Sequence, residues 1–151
     1  MLKKLFAPAN DSLATSVGLL LMRLWLGLTL LLNHGLSKLK GFDSMAAGFP
    51  DPLKIGHGAS LALVVFAEVV ASLLLAAGLV TRFAALVLVI DMGVAFFVIH
   101  ERSLSGTHSG ELAFIYLAGF VTLFVAGPGR FSVDQRLFRG GSPKKSSPSN
   151  H

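Results

Sequence analysis

Three ionisable residues sit deep inside apolar stretches: Arg23 in LATSVGLLLMRLWLGLTLLL, Glu68 in ASLALVVFAEVVASLLLAAGLV and Asp91 in FAALVLVIDMGVAFFVI. If the stretches cross a bilayer, each charge lies near its midplane, where an unpaired one costs about 2.5–3.5 kcal/mol. Such groups must be paired, hydrated or used. Arg23 carries a planar fork able to hold two carboxylates at once, which predicts that it converges with Glu68 and Asp91. The trio then sums to minus one and asks for a further cation or a protonated carboxyl. Two chemistries are open: an ion network that only fixes helix register, or a pocket in which Arg23, Glu68 and Asp91 bind a substrate and handle its protons.

A second constellation lies at the ends of the same stretches. His34 closes the first, His57 opens the second, His100 closes the third, and His108 with Glu111 opens a fourth. Arg23 and His34 are eleven residues apart, three helical turns or about 16 Å, so they face the same way. His57 and Glu68 share that spacing, and Gly27 lies where a missing side chain lets a backbone or ligand approach. His34, Gly27 and His57 are therefore candidate cofactor-binding positions. Asp91 and His100, nine apart, are half a turn out of phase, and Asp91 is read as the inward, orienting counter-ion. Imidazoles from two helices suit haem, copper or zinc, but there is no HExxH, no CxxC and no i, i+4 histidine pair. The plainer reading is helix-end histidines facing water and headgroups, so no metal ligand is assigned while haem and metal stay open. The absence of cysteine excludes a dithiol mechanism. A redox role would need a bound cofactor, a quinone or a partner protein.

The elements that must position these groups follow from composition. A chain of 151 residues that is 53% hydrophobic and 14% charged, with mean hydropathy +0.70, is too apolar for an ordinary soluble domain. Its long continuous runs call for helices of about 20 residues rather than alternating barrel strands. The predicted fold is all-α: a four-transmembrane-helix bundle with spans 13–34, 58–80, 82–100 and 110–127. The first run is read as a retained span, since it is long, contains Arg23 and lacks a small-residue cleavage pattern. Phe96, Phe97, Phe114, Phe120 and Phe124 are read as packing and lipid contact.

Basic residues orient the bundle. One side carries Lys3, Lys4, Arg82, Arg130, Arg136, Arg139, Lys144 and Lys145, the other Lys38, Lys40, Lys54 and Arg102. By the positive-inside rule both termini are cytoplasmic. The chain divides into a cytoplasmic segment 1–12, the membrane domain 13–134 and a disordered basic tail 135–151. The net charge of +5 speaks for topology and anionic lipid, not nucleic acid, because no basic stripe with interleaved aromatics is present. The connection 33–58 is the long outer loop between helices one and two. Its KLKGFDSMAAGFPDPLK can form a short interfacial helix, broken at Pro50 and Pro52, as a lid over the bundle mouth.

Read in order, RLWLG with Arg23, KLKGF, GFPDP, AEVVASLLLAAGLVTRFAAL, DMGVAFFVIH, GELAFIYLAG and GPGRFSVD together resemble the DoxX family of small four-helix membrane proteins over residues 17–134. The family takes its name from a subunit of a thiosulfate:quinone oxidoreductase. The resemblance implies a bacterial inner-membrane protein whose lipid-accessible pocket binds a quinone, with Arg23, Glu68 and His34 at its carbonyl oxygens. Quinone reduction consumes two protons with its two electrons, and a partner in an oxidoreductase complex would supply the electrons. The alternatives are a non-catalytic membrane partner or assembly subunit, and a metal, solute or proton pathway along the His57–Glu68 line. A homo-oligomer is compatible with each.

Overall fold

The computed structural model describes residues 12–139, which are helical throughout their regular structure, with no strand among them. Three helices are long and apolar enough to cross a membrane: α1, Leu13–Lys40; α3, His57–Ala77; and α4, Thr81–Ile99. Between α1 and α3 lies the short α2, Phe42–Met45, followed by a 3-10 turn. The shorter apolar α5 covers Glu111–Ala126, and α6, Val133–Arg139, closes the described chain. The sequence placed a disordered tail from residue 135; through Arg139 it is helical, and the rest of that expectation lies outside the described residues.

Local chemistry explains the boundaries. Ser12 caps α1, its hydroxyl accepting from Thr15 N at 3.1 Å. α1 continues past residue 34, where the sequence put its end, because Gly35 there serves close packing rather than termination. A Cβ on Gly35 would lie 2.6 Å from the carbonyl oxygen of Glu68, so only glycine allows α1 and α3 to meet at that level. α3 ends at Gly78, in the left-handed region at φ +71, with Gly78 N and Leu79 N returning to Leu75 O and Leu74 O at 3.0 and 2.9 Å.

The principal pairings are α1 with α3 and α4 with α5. Their shared core contains Leu30, Leu75, Leu88, Phe120 and Leu123. Large apolar residues stay exposed around the outside, among them Leu21, Trp25, Leu63, Ile90, Phe97 and Val125. That belt is what lipid would cover. The phenylalanines divide accordingly, Phe96 and Phe120 buried in the core and Phe97, Phe114 and Phe124 outward.

Each long helix contains a π segment: Leu31–Gly35 in α1, Phe66–Ala71 in α3 and Ala95–Ile99 in α4. A π turn takes up an extra residue and rotates the rest of the helix by about 100° relative to an uninterrupted α-helix. The first holds His34, and the second holds Glu68. The two π segments pack on each other.

Candidate functional site

The predicted trio separates into two places. Gly27 packs on α3, where a Cβ would meet Ser72 O at 2.9 Å and the Ala76 side chain at 3.4 Å. That register sets Arg23, one turn earlier, beside Gly78 at the end of the bundle that carries the α3–α4 turn. Arg23 is fully buried there and donates from Nη2 to the carbonyl oxygen of Phe131 at 2.5 Å. It holds neither Glu68 nor Asp91, and this corrects the expected convergence: pairing between helices, not depth along one sequence, decides which charges meet. Gly27 serves the α1–α3 contact.

Arg23 belongs instead to a clasp built by the GPGRFSVD segment. Asp134, fully buried, accepts from Val80 N at 2.7 Å and from Thr81 N and Thr81 Oγ1 at 2.8 Å each. Its carboxylate thus caps the start of α4, where a negative charge also suits the helix dipole. Asp134 N returns to Gly78 O at 2.9 Å. The segment is a tertiary N-cap that locks α3, α4 and α1 together.

Glu68 and Asp91 face a cavity of about 490 Å³ between α3, α4 and the 49–53 segment. The ionic partner of Glu68 is Lys38, whose Nζ sits 2.8 Å from its Oε1 and 2.6 Å from its Oε2. Among the described residues this is the one ion pair. Asp91 lines the same cavity, and its Oδ2 is buried with no hydrogen-bond partner among the described residues. The remaining wall is mainly apolar, with Ala67, Val87, Met92 and Val94 inside. Leu63, Phe66 and Ile90 also line it and are exposed on the bundle flank, so the cavity borders the surface that lipid would cover.

The loop after α2, expected as a lid over the bundle mouth, lines this flank cavity through Phe49, Pro50, Pro52 and Leu53. Asp51 ties the lid down, accepting from Ile55 N at 3.1 Å, Gly56 N at 2.8 Å and Ser60 Oγ at 2.7 Å. The Ser60 hydroxyl above all, with the two backbone amides, holds the Asp51 carboxyl below its ordinary range. A depressed carboxylate stabilises the lid above the unfolded value and stops doing so as pH falls through the folded one. Hydrogen exchange should find the Ile55 and Gly56 amides protected at neutral pH and released only in acid, below the usual carboxylate range. Asp51→Ala should abolish the protection at every pH; unchanged protection in that variant would contradict the latch.

The histidines do not converge. His57 binds the lid, its Nδ1 lying 2.6 Å from Phe49 O, and is absent from the cavity wall. His34 stands edge-on to Tyr116 of α5, ring centroids 6.4 Å apart. The π segments break the straight-helix arithmetic that aligned His34 with Arg23 and His57 with Glu68. His100 binds His108 O through Nδ1 at 3.0 Å. No group of three or more metal-binding side chains occurs among the described residues.

Two contributors escaped sequence reasoning. Lys38 takes the place expected of Arg23 as the cation beside the two carboxyls, and its signal was a position one turn beyond His34 on a helix that does not end there. Asp134 stood within a quoted motif, but a cap supplied from more than fifty residues away leaves no local signature.

The DoxX family model matches residues 18–101, a range that contains Arg23, Lys38, Asp51, Glu68 and Asp91 but not the GPGRFSVD segment of the clasp. An uncharacterized protein of Haemophilus influenzae is 32% identical over 100 residues, covering 60% of this chain and 75% of that protein. No solved structure matches the chain. With three apolar helices of membrane-spanning length and this match, the chain is an integral membrane protein belonging to the DoxX family.

Proposed function

We propose that this DoxX protein is the quinone-binding membrane subunit of an oxidoreductase whose partner supplies the electrons. The observation that carries the reading is a mainly apolar cavity on the bundle flank with Lys38, Glu68 and Asp91 at its polar wall. Its volume falls within the range of about 300–1,000 Å³ typical of small-molecule sites. The residues fit a quinoid head. The Lys38 ammonium has three N–H donors; the one not used on the two Glu68 oxygens is free for a carbonyl oxygen, and the Asp91 carboxyl lines the same cavity.

A bound quinone supplies a two-electron, two-proton carrier. The chain's own part is to orient it: Glu68 fixes the Lys38 ammonium, Lys38 donates to an oxygen, and Asp91 holds or takes a proton beside it. The lid and the apolar wall exclude water. With no cysteine in the chain, electrons come from a partner protein or from its cofactor. In a bacterial cytoplasmic membrane with both termini inside, the lid faces outward. Arg82, Arg130 and Arg136 at the opposite end supply the cytoplasmic positive bias. A purely non-catalytic assembly subunit would explain the Arg23 clasp but gives no reason to set Lys38, Glu68 and Asp91 on a cavity wall.

The test is calorimetric titration of the full chain in lipid nanodiscs with a decyl-substituted benzoquinone. Saturable binding near one per chain is expected, weakened at least tenfold by Val94→Trp, which fills the cavity. Heat no different from protein-free nanodiscs would sink the proposal.

A further inference from the structure

We infer that the ligand of this cavity is an amphiphile whose apolar tail lies in a gap between α3 and α4 and runs from there into the bilayer, so that it is taken up sideways from lipid; the inference rests on the quinone-site reading. α3 packs on α4 through residues 66–77, whereas its first half, His57–Val65, packs mainly on the last turn of α1 and on the 3-10 turn Ala46–Gly48. Beyond Glu68, toward His57, the two helices therefore part, and the cavity occupies the gap. Leu63 and Phe66 border it from α3, Ile90 and Val94 from α4. Leu63 is 54%, Phe66 43% and Ile90 58% exposed, so the gap opens within the apolar belt that lipid would cover.

The walls differ in what a tail must break to pass them. The 49–53 segment is held to the start of α3 by Asp51, which accepts from Ser60 Oγ at 2.7 Å, and by His57, whose Nδ1 lies 2.6 Å from Phe49 O. Leaving on that side costs these hydrogen bonds. Toward the bundle interior, Ala67 and Met92 are buried in the shared core, and a tail there would have to displace close-packed side chains. On the α3–α4 flank it passes between apolar side chains and displaces lipid chains of its own kind, at no cost in hydrogen bonds. Head and tail thus find their counterparts in one cavity, Lys38 and Glu68 for the polar ring, the gap for the chain. The substituent that enters the gap must be apolar, because a charged one would lie in hydrocarbon. The ligand class is therefore a lipid-dissolved, long-tailed molecule and excludes a water-soluble one bearing a charged chain.

The experiment uses the full chain in lipid nanodiscs with a decyl-substituted benzoquinone that carries a photoreactive diazirine on its tail close to the ring, and mass spectrometry of the adducts. Adducts that an excess of plain decyl-benzoquinone competes away should fall on Leu63, Phe66, Ile90 or Val94. Ile90→Trp, which fills the gap from an exposed position, should weaken the decyl probe about tenfold or more and a methyl-substituted benzoquinone, which has no tail, by less than about threefold. If that variant does not fold, the adduct map of the wild type decides alone. Competed adducts confined to residues 49–53 or to α1 overturn the tail path while leaving the cavity as a quinone site. An equal loss of both probes in Ile90→Trp does the same. Binding that fails to saturate, with no competed adduct anywhere, overturns the quinone-site reading and the tail path together.

Discussion

Asp134→Ala is expected to destabilise the bundle by about 3–5 kcal/mol, the cost typical of removing one partner from a buried charged arrangement. The substitution strips three hydrogen bonds from a fully buried site, leaving Val80 N and Thr81 N without acceptors at the start of α4. It also takes the nearby negative charge from the buried Arg23, whose Nε and Nη1 have no hydrogen-bond partner among the described residues. Thr81→Val removes only the hydroxyl's bond and should cost about 1 kcal/mol. Unfolding in mixed micelles measures both. The charge argument makes a sharper demand: Arg23→Leu with Asp134→Leu should cost less than the sum of the singles, by about 1–3 kcal/mol. An Asp134→Ala loss under 1 kcal/mol would show that the GPGRFSVD segment merely rests on the bundle.

How much of this was readable from residues alone depends on what each feature needs. The helices were legible because apolar runs of span length admit few other structures in a bilayer. The end of the short helix after α1 was legible because Pro50 and Pro52 cannot continue a helix. Asp91 lines the cavity wall, but its expected phase against His100 also assumed 3.6 residues per turn, and the π segment Ala95–Ile99 lies between the two. Arg23 was misassigned because its depth in one helix says nothing about register against the next; Gly27 seated on Ser72 and Ala76 sets that register. The aligned stripes of Arg23 with His34 and of His57 with Glu68 assumed 3.6 residues per turn, and π segments in α1 and α3 break that assumption. Lys38 stayed hidden because NHG at 33–35 reads as a helix end, whereas Gly35 is a contact point inside a longer helix.

Lys38→Met separates what the ion pair does for the fold from what it does for a ligand. Glu68 is 4% exposed, so removing its cation leaves a buried carboxylate beside Asp91, at an expected cost of about 3–5 kcal/mol. Glu68→Met should cost less, because the Lys38 side chain is 18% exposed and can extend its ammonium toward water. With both replaced, no uncompensated charge of the pair remains and the site gains two flexible apolar side chains. Lys38→Met with Glu68→Met should therefore recover most of the lost stability and can exceed the wild type, as buried ion pairs replaced by apolar groups of similar size often do. Binding of the decyl-benzoquinone should not recover with it, since the donor to the ligand oxygen is gone. A stable double variant that has lost at least tenfold in affinity means the pair is kept for the ligand at the expense of stability. A double variant that binds as the wild type does would return Lys38 and Glu68 to a structural role, leaving Asp91 as the cavity's polar contact.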